Sequence, residues 1–444
     1  MQIAPELLEK HSLPGPRYTS YPTVMHWGAA PSEQQWTNSL ATALAGPAAR
    51  CSIYIHVPFC QSLCTFCGCN MRLVRNHALA APYVETLLRE FSLYRQRLST
   101  PLVLGELHLG GGTPTYLPPD TLDRLLDGLL QHCSVGAEAD LAIEVDPRNT
   151  TGEHLQVLRQ HGFNRLSIGV QDFDSRVLEI VNRAQPAEQV QRVVMDAREL
   201  GFQSLSFDLI CGLPLQTIDS LQATFDVVDT LQPDRISFLP YAHVPWIKQS
   251  QRQYTEADLP DPVMRRSLQA LGRQRMAETG FVEIGMDQYA MPHDSLAKAH
   301  AAGSLHRSFM GFSASATSAL MGLGVSAIGD GRMAYGQNEK SLQQYESRVL
   351  AGQLPLQRGH VLSNEDSRIR ELLWQLFTTS RAATTSADHA SPWWPQASSA
   401  LMELQRDGLT TLAGNSIAVT ELGRAFLRRI GMAFDQYLQQ TPAP

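Results

Sequence analysis

The sequence predicts an α/β protein: a partial (β/α)6, TIM-like barrel with an N-terminal arm before it and a small, mainly helical domain after it. Two observations carry this. Six short apolar runs alternate with amphipathic segments, and successive runs start about 25 to 55 residues apart, the span of βα units in a parallel sheet. Six units are too few to close an eight-stranded barrel, so an open one is expected, with its site at the C-terminal ends of the strands.

The strand candidates are Ile53–Val57, Glu106–Leu109, Leu141–Val145, Arg165–Val170, Ser204–Ile210 and Arg235–Leu239. Helix-period segments lie between them at Tyr83–Leu98, Leu122–His132, Glu153–His161 and Ala187–Leu200. Ahead of the first strand, GPRYTSYPT (Gly15–Thr23) has two prolines that favour an extended path, with Arg17, Tyr18 and Tyr21 available for contacts. Beyond about residue 365 the pattern turns helical, at Ser367–Phe377, Ala400–Asp407 and Thr420–Phe434. A Pro/Ser/Ala/Trp stretch (Ser386–Ser399) separates the first two, and Leu409–Leu412 with Ile417–Val419 suggests a hairpin. The expected division is therefore 1–35 for the arm, 36–350 for the barrel and 351–444 for the C-terminal domain, with the last four residues, TPAP, disordered.

Composition excludes several classes of protein. With 43% hydrophobic and 18% charged residues the chain is expected to pack into a globule. Its 36 basic and 43 acidic residues give a formal charge of −7, which argues against nucleic acid as a partner. Apolar runs break before the ~18 residues that a membrane helix needs. Seven cysteines are too few and too odd a number for a disulfide framework. With no apparent export signal, they point to a reducing cytoplasm.

Four of those cysteines lie in HVPFCQSLCTFCGCN (His56–Asn70), directly after the first strand. Cys60, Cys64 and Cys67, spaced C-x3-C-x2-C, can hold a 4Fe–4S cluster and leave its fourth iron without a protein ligand. A zinc site normally uses two separated cysteine pairs, and no second pair exists here. Cys69, two residues from Cys67, is a cramped fourth ligand. One βα unit later, LHLGGGTPTYL (Leu107–Leu117) has three consecutive glycines whose amides could cradle a carboxylate.

Strands of a parallel sheet should read as nearly continuous apolar runs. Glu144, Gln171 and Asp208 break that rule near the ends of three successive strands, so a polar pocket is expected there. Arg183, with its planar fork, could neutralise one of these groups or grip a ligand carboxylate. Tyr54 and His56 share one face of the first strand, and that face is expected to look into the barrel, which makes His56 a candidate catalytic residue.

The motifs together resemble the oxygen-independent coproporphyrinogen III dehydrogenase (oxidase) family of radical S-adenosylmethionine enzymes, over nearly the whole chain. The likeness rests on GPRYTSYPT, HVPFCQSLCTFCGCN, HLGGGTPTYL, IEVDPR, NRLSIGVQDF, FDLICGLPLQT and YAHVP. It implies that a first S-adenosylmethionine chelates the open iron, with contacts at Tyr54, Gly111, Glu144 and Ile328. A second molecule would meet Phe66, Gly112, Thr113, Gln171, Arg183, Asp208 and Ala242. Cys69 and the arm separate this branch from its heme-chaperone-like cousins, and Cys69 joins His56 as a catalytic candidate. Against the family pattern, Met71 replaces a usual lysine, Gln288 a usual histidine and Met310 a usual glutamine, within a less polar Ser308–Gly324 segment. These departures fall in regions expected to face substrate.

The resemblance implies oxidative decarboxylation of coproporphyrinogen III propionates to vinyl groups, giving protoporphyrinogen IX. An electron donor such as flavodoxin or ferredoxin, a cytoplasmic location and a monomeric chain go with it. Arg17 and Arg307 are the candidate partners for substrate carboxylates. The alternatives are a radical enzyme acting on another tetrapyrrole, such as a heme-opening methyltransferase, and a heme-binding chaperone paralogue.

Overall fold

A computed structural model of the chain describes residues 4–11, 15–98, 100–438. The segment TPAP lies outside the described residues. Six parallel strands form the expected barrel wall: β1 (Cys51–Val57), β2 (Leu102–Gly111), β3 (Cys133–Val145), β4 (Arg165–Gln171), β5 (Ser204–Cys211) and β6 (Arg235–Pro240). They pair in sequence order, each with the next. Every strand begins within eight residues of its expected start.

Alternation along these strands divides inside from outside. Glu106, His108, Ser167, Ser206, Asp208 and Ser237 line the barrel interior. Their neighbours Leu109, Leu166, Ile168, Leu205 and Phe207 are buried in the main hydrophobic core. The helices that cover this apolar outer surface supply matching stripes. Pro119–Leu130, for example, starts with proline in its first turn and buries Leu122, Leu125, Leu126 and Leu129 at helical spacing. A barrel with an apolar skin and a polar lumen is a container for a polar ligand.

The sheet continues beyond the six strands on both sides, to thirteen in all. Ala319–Leu323 pairs in parallel with β1, from Ala319 opposite Cys51 to Leu323 opposite Ile55. Antiparallel strands Ile328–Asp330, Ala334–Asn338 and Leu356–Val361 follow outward from it. At the other edge β6 pairs with Gln288–Ala290, which forms a hairpin with Val282–Gly285. Among the described residues, no helix is long and apolar enough to cross a membrane.

The C-terminal part is built largely as expected, with corrections. The helix Asn364–Thr379 opens on a Ser363–Asp366 capping box. The hairpin is present as Thr410–Ala413 with Ser416–Val419, and Arg381–Ala383 adds a third strand. The stretch Ser386–Ser399, expected to separate two helical segments, itself contains the helix Ser386–His389 and the start of Trp394–Arg406. Thr420–Phe434 is not one helix. A 3-10 turn at Gly423–Phe426 precedes Leu427–Met432, because Gly423 packs so closely on the Leu409 carbonyl that no side chain fits.

The arm is buried rather than draped. Tyr18 and Tyr21 are 2% and 1% exposed, in a second core shared with Ile284, Phe312, Leu376 and Phe434. The Tyr18 hydroxyl donates to Asp435 at 3.0 Å, and the Gln436 amide donates to the Tyr21 hydroxyl at 3.2 Å.

Candidate active site

The cysteine loop leaves β1 through Pro58 and is closed at its base by a short parallel pair, Phe59–Cys60 with Arg72–Leu73. All four thiols are free, with Cys64 buried and Cys69 exposed. The Thr113 hydroxyl reaches Cys60 Sγ at 3.5 Å; Arg183 Nη1 and Arg148 Nη2 reach Cys64 Sγ at 3.3 and 3.5 Å. Two of these three donors aimed at sulfur are cationic. A hydrogen bond between Cys69 and Cys67 draws the Cys67 thiol below its ordinary range and holds Cys69 above it. Burial raises Cys60 to about 11.

These residues fit an iron–sulfur cluster. Thr65 Oγ1 and Arg183 Nε are buried beside the loop without a hydrogen-bond partner. Among the described residues no three acidic, cysteine or histidine side chains converge on one ion-sized point. A cluster does not require that, since each cysteine would bind a different iron.

One layer below, the β1 and β2 side chains interlock. The Tyr54 hydroxyl lies 3.1 Å from His56 Nδ1, and His56 Nε2 lies 2.8 Å from the Asn70 carbonyl. A carbonyl only accepts, so Nε2 carries the proton and Nδ1 accepts from Tyr54. Burial lowers the His56 pKa, consistent with this neutral ring. His108 stacks on Tyr54 and reaches Glu144 Oε1 at 3.3 Å; the Gly111 amide donates to Glu144 Oε2 at 3.2 Å. Burial alone would raise the Glu144 carboxyl, but these two donors outweigh it and hold the group below its usual range.

Two amides of the glycine triplet have partners within the chain: Gly111 donates to Glu144, and Gly112 to the Val57 carbonyl at 2.8 Å. A Cβ at Gly110 would stand 2.8 Å from Glu144, at Gly111 2.7 Å from His56, and at Gly112 2.8 Å from the Pro58 backbone. Gly112 thus lets β2 approach the backbone at the start of the cysteine loop, while Gly110 and Gly111 make room for the Glu144 and His56 side chains.

Further round the barrel, the Ser167 hydroxyl donates to Asp208 at 3.0 Å. Burial and the nearby Glu144 raise Asp208 to about 6. Gln171 ends β4 with a left-handed φ of 71°, and Gly169 lies directly under its amide and the Arg183 guanidinium. Gln251 Nε2 reaches the carbonyls of Ala242 and Phe66 at 3.1 and 3.3 Å, drawing those two segments together. Ile328 sits apart, packed with Trp27 and Tyr335, its backbone against Gly322 of the strand beside β1.

Inside the barrel is a cavity of about 350 Å³ lined by His108, Glu144, Ser167 and Asp208, and by Arg17, Arg307, Gln288 and Met310. The arginines named from sequence, and two of the departures from the family pattern, thus face one space. A neighbouring cavity of about 400 Å³ shares Glu106, Arg307, Ser308 and Ser313 with it but holds neither His108 nor Glu144. Sequence reasoning missed His108, Arg148, Ser167 and Gln251. The period-two pattern of ELHL and RLSI was the available signal for His108 and Ser167; Gln251 lies in a 3-10 turn with no pattern to reveal it.

A partial parallel barrel with a three-thiol loop after its first strand defines a radical S-adenosylmethionine enzyme, and the pattern of that superfamily matches residues 54–228. The oxygen-independent coproporphyrinogen III oxidase of Escherichia coli is 38% identical over 439 residues, covering 98% of this chain and 95% of that protein. Its counterpart from Pseudomonas aeruginosa is 37% identical over 446 residues, with coverage of 98% and 95%. The solved structure of coproporphyrinogen III oxidase from Escherichia coli, a radical SAM enzyme, superposes with a TM-score of 0.89, covering 95% of this chain and 97% of that one. The chain belongs to the oxygen-independent coproporphyrinogen III oxidase family. A 4Fe–4S cluster and S-adenosylmethionine are the cofactors of that class.

Proposed function

We propose that the protein converts coproporphyrinogen III to protoporphyrinogen IX in porphyrin biosynthesis, by oxidative decarboxylation of propionates to vinyl groups. Each conversion removes one hydrogen atom, one carbon dioxide and one electron from a propionate side chain, the electron passing to a one-electron acceptor. The observation that carries the reading is the polar cavity, which runs from Glu144 and His108 beside the thiol loop to the cations Arg17 and Arg307. When bound, the cluster and S-adenosylmethionine supply a carbon-centred radical able to take that hydrogen atom.

The chain's own groups have separable tasks in this reading. Cys60, Cys64 and Cys67 hold the cluster, and Arg148 and Arg183 stabilise the charge on Cys64. Tyr54, Gly111, Glu144 and Ile328 contact the first S-adenosylmethionine. Phe66, Gly112, Thr113, Gln171, Arg183, Asp208 and Ala242 contact a second molecule. The convergence of Phe66 and Ala242 on Gln251 supports that grouping. His56 acts as a positioning residue, since both its nitrogens already hold neighbours. Cys69, exposed at the end of the loop, remains available to the substrate side. Gln288 and Met310 shape the cavity wall.

The division at 35 and 350 is one of labour: the barrel holds the cofactors, the arm adds Arg17 and Thr19 to the cavity wall, and the C-terminal part packs behind the arm. A small electron-transfer protein such as flavodoxin or ferredoxin supplies the reducing electron in the cytoplasm. A single chain suffices in this reading, because arm and barrel residues of one chain line the cavity.

The test is an anaerobic assay of the reconstituted protein with coproporphyrinogen III, S-adenosylmethionine and a strong reductant, read by mass spectrometry. Product masses lower by one and then two formic-acid equivalents support the assignment. 5′-Deoxyadenosine without any decarboxylated porphyrin overturns the substrate.

A further inference from the structure

Three arginines from distant parts of the chain gather beside the barrel cavity: Arg17 and Arg307 line it, and Arg428 stands behind the hairpin tip between the lining residues Met286 and Gln288. Arg17 comes from the arm, Arg307 from the strand His306–Ser308 and Arg428 from the helix Leu427–Met432. Arg17 Nη2 lies 3.6 Å from Asp287 Oδ2, and Arg428 Nη2 donates to the same oxygen. Arg307 is held from behind, donating to the Arg17 carbonyl at 2.7 Å and the Tyr18 carbonyl at 3.2 Å. Its guanidinium lies over the rings of Phe312 and Phe377, at 4.6 and 5.6 Å.

Three cations around one carboxylate leave a local excess of two positive charges, on a chain whose formal charge is −7. Burial together with Arg17 and Arg428 lowers Arg307 to about 9, so the cluster is electrostatically uncomfortable as it stands. Tyr18–Asp435 and Tyr21–Gln436 join the arm to the C-terminal part independently of the Arg17 and Arg428 side chains. The carboxylate is itself presented on a strained turn. Met286 and Asp287 both adopt left-handed φ, 48° and 73°, at the tip of the hairpin Val282–Gly285 with Gln288–Ala290. Such hairpin tips favour glycine or asparagine, and strain of this kind gathers at ligand sites.

We propose that Arg17, Arg307 and Arg428 form a subsite for the substrate carboxylates that survive the reaction, with Asp287 as the internal counter-ion that they displace. The inference rests on the tetrapyrrole reading above. The two surplus charges match the two propionates that a divinyl product retains. The C-terminal part thereby acquires a chemical role, since it alone supplies Arg428. The wall between this subsite and Glu144 would hold the macrocycle while one propionate at a time approaches the radical source.

The test is fluorescence titration of the cluster-loaded enzyme with oxidised coproporphyrin III, in parallel with its neutral tetramethyl ester in detergent. Arg17→Gln and Arg428→Gln should each weaken coproporphyrin binding about ten-fold, the loss of one charge-assisted contact, and leave ester binding unchanged. Arg428→Lys should recover part of the loss. Asp287→Asn should tighten coproporphyrin binding, because a competing anion is removed. Equal loss for acid and ester marks a structural role and overturns the subsite, as does wild-type affinity in both glutamine variants. Weaker binding in Asp287→Asn overturns the displacement. If wild-type enzyme decarboxylates coproporphyrinogen while the variants bind coproporphyrin normally, only this subsite falls. If the loaded wild-type enzyme neither binds nor converts the tetrapyrrole, the functional reading falls and takes the subsite with it.

Discussion

Cys64 is the most constrained of the loop thiols, buried and reached by two guanidinium groups. Cys64→Ala should therefore abolish both the cluster's visible absorption and all turnover; a variant that keeps its iron removes the ligand assignment. His108 tests the layer below. It supports Glu144 from the side, and without it burial would push that carboxylate towards its neutral form. His108→Leu should retain its full iron content but bind S-adenosylmethionine about ten-fold more weakly, the order expected for a lost charge-assisted hydrogen bond. Unchanged affinity in an equilibrium titration would separate Glu144 from the cofactor. The loop and Glu144 were legible because each violates a local rule, cysteines crowded on one turn and a carboxylate in a buried strand. His108 obeys its rule, a polar residue on the inward face, and only the barrel's curvature reveals which face is inward.

Among elements, the helix Ala80–Arg97 shows how the sheet's extension is anchored. Its Glu90 is fully buried and accepts from the Gly324 amide, the Asn338 amide and the Tyr345 hydroxyl, at 2.8, 2.7 and 2.7 Å. Burial raises Glu90 from 4.5 to about 7 despite those three donors. The folded chain thus holds this proton more tightly than the unfolded chain does. Its contribution is complete below about pH 4.5 and disappears as pH rises through about 7, a change on the order of 3 kcal/mol. Glu90→Gln should be less stable overall, since its NH2 group would face donors, but its urea midpoint should vary less between pH 5 and 7.5 than the wild type's. Parallel pH profiles would remove Glu90 as the source. The strands that Glu90 helps to anchor escaped the sequence. Ala319–Leu323 reads ALMGL, which has no alternation because both faces are buried, and its partner β1 lies far away in the chain. The six barrel strands were legible because each sits in a repeating unit with its own helix. The antiparallel extension has no such repeat, and its three- to six-residue strands are defined by their partners.

At the scale of the molecule, the question is whether barrel and C-terminal part unfold together. Among the described residues two hydrophobic cores are large, but the second draws on Tyr18 and Tyr21 from the arm, Ile284 from the sheet extension, Phe312 from the separate strand Gly311–Ser313, and the helices after residue 363. Buried links cross between them: Arg370 reaches both Asp330 and the Tyr335 hydroxyl, at 3.4 and 3.2 Å, and the Tyr21 amide donates to the same hydroxyl at 3.4 Å. A C-terminal unit cut free would expose the apolar surface that the arm and hairpin now cover, so it should have no separate stability. Calorimetry should then show one cooperative transition, and Tyr21→Ala should lower the whole of it by about 3–5 kcal/mol, the cost of emptying a large buried aromatic site. Two resolved peaks, with only one moved by the substitution, would establish independent domains instead. In that case the arm would clasp the C-terminal unit alone, and Arg428 would reach Asp287 only when the two halves happened to dock. A single peak ties the placement of Arg17 and Arg428 to the stability of the fold itself. The cavity's cationic side would then be as rigid as the barrel that carries the thiols.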